Sequence, residues 1–586
     1  MSNQSMICII WFSVLGINLY SQKNDFTWLC GYAGGKGDPE FGISILRFHS
    51  GNLEVEFNPD IKMYLLNTNA VINDNDGNLM FYSNGEDVNN SLHQLINGAS
   101  DLYKFSSGIG GIPLTSATLI LNKPNTKDEY LIFYPVDSAF NLDPFGRVHT
   151  ISLQYATIRI EKDNPKGILL NRDTDILRDT IWGTGFTACR HANGRDWWFL
   201  IGEKAPATGI YKILIEPDTI LVVDKQLFPN YFIDGVSHAC FSPNGEYYVR
   251  YTQYSSTVGG FINLYKFDRC NGALQLLKEI SFFYNGLYGG VCFSPNSRKL
   301  YVGHSAKLYQ LNLDDPEPWD SKALVDSIEL IPPGGMSYTF FNNGPDDKIY
   351  MGTGGTQKLL HYINKPNLSG DSCEIKTKGI SLQNYNASTP NFPHFRLGPV
   401  DGSICDSLGL DNIPLCNWRH EQDTINHLNF KFLDLSAYGV EQWSWSFGDI
   451  NSISNTSTDK NPFHQFSGNG IFTVCLNVKN SYGNDTLCRN IKIGNMVKSE
   501  DEQSEVDYIQ IWPNPCIEDL IINVHKYNPE KLLVSLYNQY GALVITQRLY
   551  VGSNFINMQG LQSGVYYVSI LEKGLKVKHD KIVKFK

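Results

Sequence analysis

The side chains whose types and spacing could do chemistry are few. Asp74, Asp76 and Asn78, set at alternate positions around Gly77, have the oxygen ligands with which a calcium loop opens. The bidentate glutamate that completes an EF-hand is missing from its place, and Asp-Gly turns are ordinary hairpin chemistry. No cofactor is therefore expected, with calcium at this loop as the alternative. Arg190, His191 and His238 lie near the ends of apolar runs. A ring of strands would bring them to the mouth of its channel as ligand-binding candidates. For His238 the alternative is a hydrogen-bonded structural histidine. The adjacent carboxylates Asp314-Asp315 and Asp346-Asp347 sit in turn-like polar contexts that suit solvated loop charges better than a glycosidase pair. There is no H-E-x-x-H, no zinc-finger spacing, no P-loop and no G-x-S-x-G elbow. No catalytic residue is assigned, and an enzyme is the less favoured class.

The elements that must position these residues are repeats. ACRHANGRDWWFL (188–200), ACFSPNGEYYVRY (239–251) and VCFSPNSRKLYVG (291–303) place Cys189, Cys240 and Cys292 in register, about 50 residues apart, the spacing of a repeat array. In each, an apolar strand enters a turn at Asn193-Gly194, Asn244-Gly245 or Asn296-Ser297 and leaves as a strand rich in Tyr, Trp and Val. AVINDNDGNLMFYSNG (70–85) is an earlier copy, with Gly77 in line with Gly194 and Gly245, and SATLILNKPNTKDEYLIFYPVD (116–137) another. A further copy opens its turn at Asn343-Gly344, and STPNFPHFRLG (388–398) reads as a lone strand that the N-terminal Ile43 strand could complete. Starts near 70, 116, 187, 238, 290, 338 and 387 predict a seven-bladed β-propeller, with six or eight blades left open. Equivalent cysteines of different blades should lie apart as buried thiols.

Composition agrees with an all-β chain of several domains: 586 residues, 42% hydrophobic, 13% aromatic and 51 Gly. A net charge of -11 without a basic tract argues against nucleic acid as the main partner. Met6 to Tyr20 is an apolar run too short to span a bilayer and followed by Ser21-Gln22, which suits a signal peptide and export. Twelve cysteines, with Cys8 in that leader, leave an odd number in the mature chain, where disulfides can persist.

After residue 400 the texture changes. VDGSICDSLGLDNIPLCNWRHEQ (400–422) reads as a linker packed on the propeller, with Cys405 and Cys416 either bridged or free. QWSWSFGD (442–449) alternates so that Trp443, Trp445 and Phe447 share a face, and Cys475 and Cys488 flank a hairpin turn where a bridge fits if their Cβ atoms are close. Trp445, Phe447, Gly448 and Asp449 match the W-x-F-G-D signature of PKD modules, with Ile450 where a glycine usually follows. The segment resembles that immunoglobulin-like family, and the resemblance implies a small β-sandwich. The acidic stretch MVKSEDEQSEVD (496–507) reads as a flexible linker.

The end of the chain carries Pro513-Asn514-Pro515, a YNQYG turn at Gly541, LQSGVY with Gly564, and a terminal strand bearing Lys581 and Lys584. Together these resemble the type A C-terminal sorting domain of the type IX secretion system of Bacteroidetes. The resemblance implies passage across the outer membrane, removal of the domain, and release or surface attachment, with the lysines as a recognition face. The expected organisation is a leader (1–21), propeller (24–400), linker (401–425), PKD-like domain (426–495), acidic linker (496–507) and sorting domain (508–586). The function expected of such a chain is non-catalytic binding or adhesion at the cell surface or outside it. In that reading the propeller is the platform for a glycan or protein ligand and the PKD-like module is a spacer. The alternatives are a secreted polysaccharide hydrolase or lyase with its site at the channel mouth, and a structural part of the envelope or gliding machinery. The expected partners are the secretion machinery and an extracellular ligand, without nucleic acid and without an integral membrane segment in the mature chain.

Overall fold

The computed structural model describes residues 23–32, 38–103, 110–142, 148–161, 164–203, 209–228, 236–255, 259–282, 289–328, 336–354, 357–386, 388–494, 509–512, 516, 518–524, 532–539, 542–550, 552–572 and 575–585. The leader expected over 1–21 lies outside them. The described elements are β-strands and two short 3-10 turns, and no helix among them is long and apolar enough to cross a membrane.

The repeated hairpin is built on one turn. At 74–77, 191–194, 242–245, 294–297 and 344–347 the fourth residue donates its N–H to the carbonyl of the first, and the first donates to the strand beyond. That fourth residue is left-handed every time: Gly77 (φ 93°), Gly194 (77°), Gly245 (73°), Ser297 (59°) and Asp347 (59°). Glycine takes this conformation without a Cβ clash, which explains the Asn-Gly signal, and serine and aspartate hold it at a cost. The turn expected to open at Asn343-Gly344 is displaced by one residue, because Asn343 still pairs with Ile349 in the ladder.

These hairpins make antiparallel sheets in strict sequence order, three-stranded over 27–58 and 70–90 and four-stranded over 119–181, 187–227, 236–282, 289–327 and 339–386. First strands pack on one another around a centre, Thr187–Arg190 on Val236–Phe241, then Gly289–Phe293, then Thr339–Asn343. The architecture is a β-propeller. Cys189, Cys240 and Cys292 hold equivalent ladder positions opposite Trp198, Val249 and Tyr301, and all three are free thiols. They are not all remote, since first strands converge at the centre and the Cys240 thiol abuts that of Cys292.

The closing blade departs from expectation. Residues 388–398 form no strand, because Pro390 and Pro393 have no N–H to place in a ladder. Their neighbour is Thr27–Gly31, and Ile43–Arg47 lies one strand further out. Side chains close the ring instead: Phe392 packs 5.7 Å from Trp28, and Arg396 holds Asp25 at 2.7 and 2.6 Å. Asn391 reaches inward to donate to the carbonyls of Thr118 and Phe186, and Thr389 donates to that of Phe340. The chain therefore occupies the ring's centre before leaving it.

Beyond it, Cys405 is bridged to Cys270 of the propeller with Cα atoms 5.6 Å apart, not to Cys416, which is buried and free. Cys416 is turned into the next domain, where its thiol contacts the carbonyl of Leu476. That domain starts earlier than expected. Trp418–Gln422, inside the stretch read as linker, pairs with Asn429–Asp434, which pairs with Phe463–Gln465. The facing sheet contains Gln442–Ser446 and Gly470–Lys479, and the Cys475–Cys488 bridge is present. Trp418, Phe432, Trp445, Phe447 and Leu476 fill the sandwich, while Trp443 is half-buried with its indole N–H on Asp434. Gly448 (φ 66°) permits a close approach, since a Cβ there would sit 2.5 Å from the Thr473 carbonyl oxygen. The turn is held by Asp449, fully buried, which accepts from the Ser467 N–H and hydroxyl. Ile450, in the place of the usual glycine, points to solvent.

The C-terminal unit, taken by itself, is a second sandwich. One sheet comprises Ile509–Trp512, Asp519–Val524 and Gly552–Asn557. The other comprises Leu532–Asn538, Leu543–Leu549, Gly564–Glu572 and Leu575–Lys584, and Leu520, Ile522, Leu536, Val568 and Ile582 lie between them.

Candidate functional site

The residues first suspected of chemistry are engaged in the fold. Asp74 accepts through Oδ1 from the N–H groups of Asp76 (2.9 Å) and Asn78 (2.8 Å), and its Oδ2 accepts from the Asn78 amide. Its carboxylate is the turn's cap. His191 holds the same place in its own hairpin, with Nδ1 accepting from the Asn193 N–H at 3.0 Å and Nε2 donating to the Cys270 carbonyl at 2.9 Å. Among the described residues no group of three His, Cys, Asp or Glu side chains could hold a metal ion. Arg190 is buried with its guanidinium 3.7 Å from the Trp197 ring centre and donating to the Arg195 carbonyl, and burial lowers its pKa to about 10. His238 is buried and accepts from the Val291 N–H through Nδ1, and burial lowers its pKa to about 4. Arg190 ends its strand at the turn, whereas His238 sits at the ladder place of Thr187, so the three do not gather at one mouth. Of the sorting residues, Pro513, Asn514, Pro515 and Gly541 lie outside the described residues. Gly564 opens a strand, Lys581 is exposed, and Lys584 is buried with its ammonium on the Phe585 carbonyl.

A different place is open and polar. Where the propeller meets the first sandwich, a cleft of about 420 Å³ is lined by Asn52, Lys348 and Asn364 from the blades. The strand Arg419–Gln422, Phe430 and Lys492 line it from the sandwich. It shares Glu421, Gln422 and Phe430 with a second cavity of about 510 Å³ that runs on to Asp423, Asn429, Lys431 and Phe463–Gln465. The walls are fixed by hydrogen bonds across the junction. Arg489 donates to the carbonyls of His49 (2.8 Å) and Trp418 and to the Asn417 side chain (3.0 Å). Asn417 donates to the Pro345 carbonyl (2.8 Å), and the Asn52 amide meets His420 Nε2 at 3.0 Å.

Within the cleft Arg419 is buried and donates to Glu421 at 2.8 Å, and Lys348 lies 3.2 Å from Asp346. Burial holds the His420 pKa down at about 4, so the ring is a neutral hydrogen-bonding group. Asp423 caps its loop, and the N–H groups of Asn426 and Ile425 hold its carboxyl below the usual range. Phe463 is 76% exposed, with the Lys431 ammonium 5.6 Å from its ring centre. Such an arrangement suits binding: a fixed cleft, several polar side chains and an open aromatic face. Asp423 is stabilised as the anion by its loop N–H groups, and Glu421 is ion-paired with Arg419. Sequence reasoning missed these residues because Trp418-Arg-His-Glu-Gln was read as linker. Its side chains grade from buried at Trp418 to exposed at Gln422 without alternating, so no periodic signal marks it as a strand.

The fold and cleft define an all-β protein of several domains in which a propeller and a small sandwich enclose a polar site. Residues 420–493 match the PKD domain family, and residues 510–584 match the secretion system C-terminal sorting domain. The chain thus carries a PKD module and a type IX sorting domain, which implies handling by that secretion system and export to the cell surface or beyond it. No curated protein matches the chain. Among solved structures it is similar to the periplasmic gluconolactonase of Pseudomonas aeruginosa, at 13% identity over 62% of this chain and 97% of that one, TM-score 0.36. It is similar also to hydrazine synthase of Kuenenia stuttgartiensis, at 12% identity over 62% and 97%, TM-score 0.33. A third is the extracellular domain of a hybrid two-component system of B. thetaiotaomicron, at 10% identity over 79% and 72%, TM-score 0.25.

Proposed function

We propose that this exported protein is a non-catalytic binding protein that takes a saccharide chain into the cleft between its propeller and its PKD module. The observation that supports this most is the adjacency of the two cavities, which share Glu421, Gln422 and Phe430 and set a polar cleft beside a more apolar one with an exposed aromatic ring. Side-chain amides at Asn52, Asn364, Gln422, Asn429 and Gln465 set donors and acceptors side by side, as neighbouring hydroxyls require. In this reading the PKD module is a wall of the site and not only a spacer. The test is retention of the full chain on immobilised polysaccharides, with the eluate assayed for shortened products. Retention without products supports the proposal, and products above a heat-killed control replace it with a hydrolase or lyase.

A further inference from the structure

We infer that the ligand of this cleft is an anionic polysaccharide, its sugars carrying carboxylate or sulfate groups; the inference rests on the binding role proposed above. In a chain of net charge -11, the first cavity collects three cations, Lys348, Arg419 and Lys492, against one carboxylate, Glu421. Arg419 pairs with that carboxylate at 2.8 Å and Lys348 with Asp346 at 3.2 Å, which leaves Lys492 as the cation without an ion pair among the described residues. Arg419 is only 8% exposed, and its Nε has no acceptor among the described residues.

His420 lies beside it in the same wall. Its Nε2 faces the amide nitrogen of Asn52, which can only donate, so Nε2 is the acceptor and the ring proton of the neutral imidazole sits on Nδ1. That Nδ1 is likewise without a partner among the described residues. Both atoms are closed to solvent, so what an incoming ligand meets is the charge of the lysines and the arginine along the wall, and charged donors hold anionic oxygens more strongly than neutral hydroxyls. Lys492 stands exposed at the same wall, with no ion pair among the described residues, so its charge reaches an incoming anion.

An acidic polypeptide would satisfy the charges equally well. The adjoining cavity favours sugars, because Gln422, Asn429 and Gln465 stand around Phe463, whose open face offers an apolar plane to the C–H side of a pyranose ring. A peptide laid on the strand would be held mainly through its backbone and would need neither the ring nor the amides.

The test uses the full chain against polygalacturonate, a sulfated galactan, a neutral glucan and polyglutamate, in low salt and in about 0.5 M sodium chloride, where surface charge is screened. One anionic glycan is expected to bind at least about tenfold more tightly than the neutral glucan at low salt, and high salt should remove most of that advantage. Whichever of the two binds better identifies carboxylate or sulfate as the group read. Lys492→Gln, at an exposed position that leaves the fold intact, should weaken anionic binding about threefold or more. Phe463→Ala should weaken glycan binding and leave any polyglutamate binding unchanged. Equal retention of the neutral glucan, insensitive to salt and to Lys492→Gln but lost in Phe463→Ala, would overturn the anionic preference while leaving the binding role standing. Polyglutamate binding as tightly as the glycans would overturn it in favour of an acidic polypeptide. Failure to retain any polymer, or retention untouched by both substitutions, would sink the binding role with it.

Discussion

Asp347 shows how a repeat position acquires chemistry from its surroundings. It occupies the left-handed turn place that Gly77, Gly194 and Gly245 fill elsewhere. At the junction with the PKD module, burial raises its pKa to about 6, with Asp346 adding to the rise and Arg396 and Arg419 opposing it. Its ordinary value is 3.8, so between about pH 4 and 6 the folded chain binds the proton more readily than the unfolded one. This aspartate's contribution to stability is therefore lost as pH rises through that window. Asp347→Asn, which keeps the shape and tolerates the left-handed backbone, is expected to raise the melting temperature by about 2 °C at pH 7.5. It should do nothing at pH 4, and a gain as large at pH 4 would refute the assignment. The buried histidines act in the opposite direction. His238, His304, His361 and His420 are held down to about 4, and His394 to about 3, all chiefly by burial, from an ordinary 6.5. Each stays neutral in the fold but takes a proton when unfolded, so stability falls as pH drops from 6.5 towards 4, by up to about 1.4 kcal/mol per pH unit for each. Five histidines outweigh one aspartate, and melting curves across pH 4 to 7.5 should show a net loss on acidification. Residue types alone could not reveal this. Asp74 and His191 drew attention as ligands, yet both are caps at the first place of the same turn, and only the hairpin register makes them equivalent.

At the scale of elements, the strand pattern was legible wherever alternation and turn chemistry agreed. The cysteine hairpins, the 70–85 hairpin and the W-x-F-G-D strand all lie where their sequences place them. It failed at 388–398, where an apolar run resembling a strand carries two prolines, and the ring closes through side chains. It failed again at Trp418–Gln422, because five residues between a turn-rich stretch and a charged loop carry too little pattern to stand out. The closure has a measurable weak point. Removing Arg396 leaves the buried Asp25 carboxylate without its guanidinium partner, a loss of about 3 kcal/mol or more. Arg396→Ala should lower the melting temperature by several degrees and expose the 388–405 segment to protease, with the Cys270–Cys405 bridge still holding the cut ends. An unchanged melting temperature and an unchanged digest would mean that Phe392 and Asn391 close the ring without the ion pair.

The whole molecule depends on one junction that no local pattern announces, because its acceptors are backbone carbonyls far apart in sequence. Arg489 reaches from the PKD module to the His49 carbonyl of the propeller, and within the module it donates to the Trp418 carbonyl and sets its guanidinium 4.9 Å from the Trp418 ring centre. Burial lowers its pKa to about 10, still charged at neutral pH, so the carbonyls and the Asn417 side chain oxygen stabilise a cation out of water. Gly51 allows the approach, its φ of 84° setting the blade's turn against the Trp418 carbonyl. Arg489→Ala removes this clasp between the two bodies, and because Arg489 also donates to and stacks on Trp418, it should lower the stability of the module itself while leaving the blades able to form. Calorimetry is expected to resolve one transition of the wild-type pair into two, the lower belonging to the module, and polysaccharide retention should fall even though every lining residue is present. Retention at the wild-type level after the transitions have separated would show that the ligand is held by the propeller or the module alone, and the cleft between them would cease to be the site.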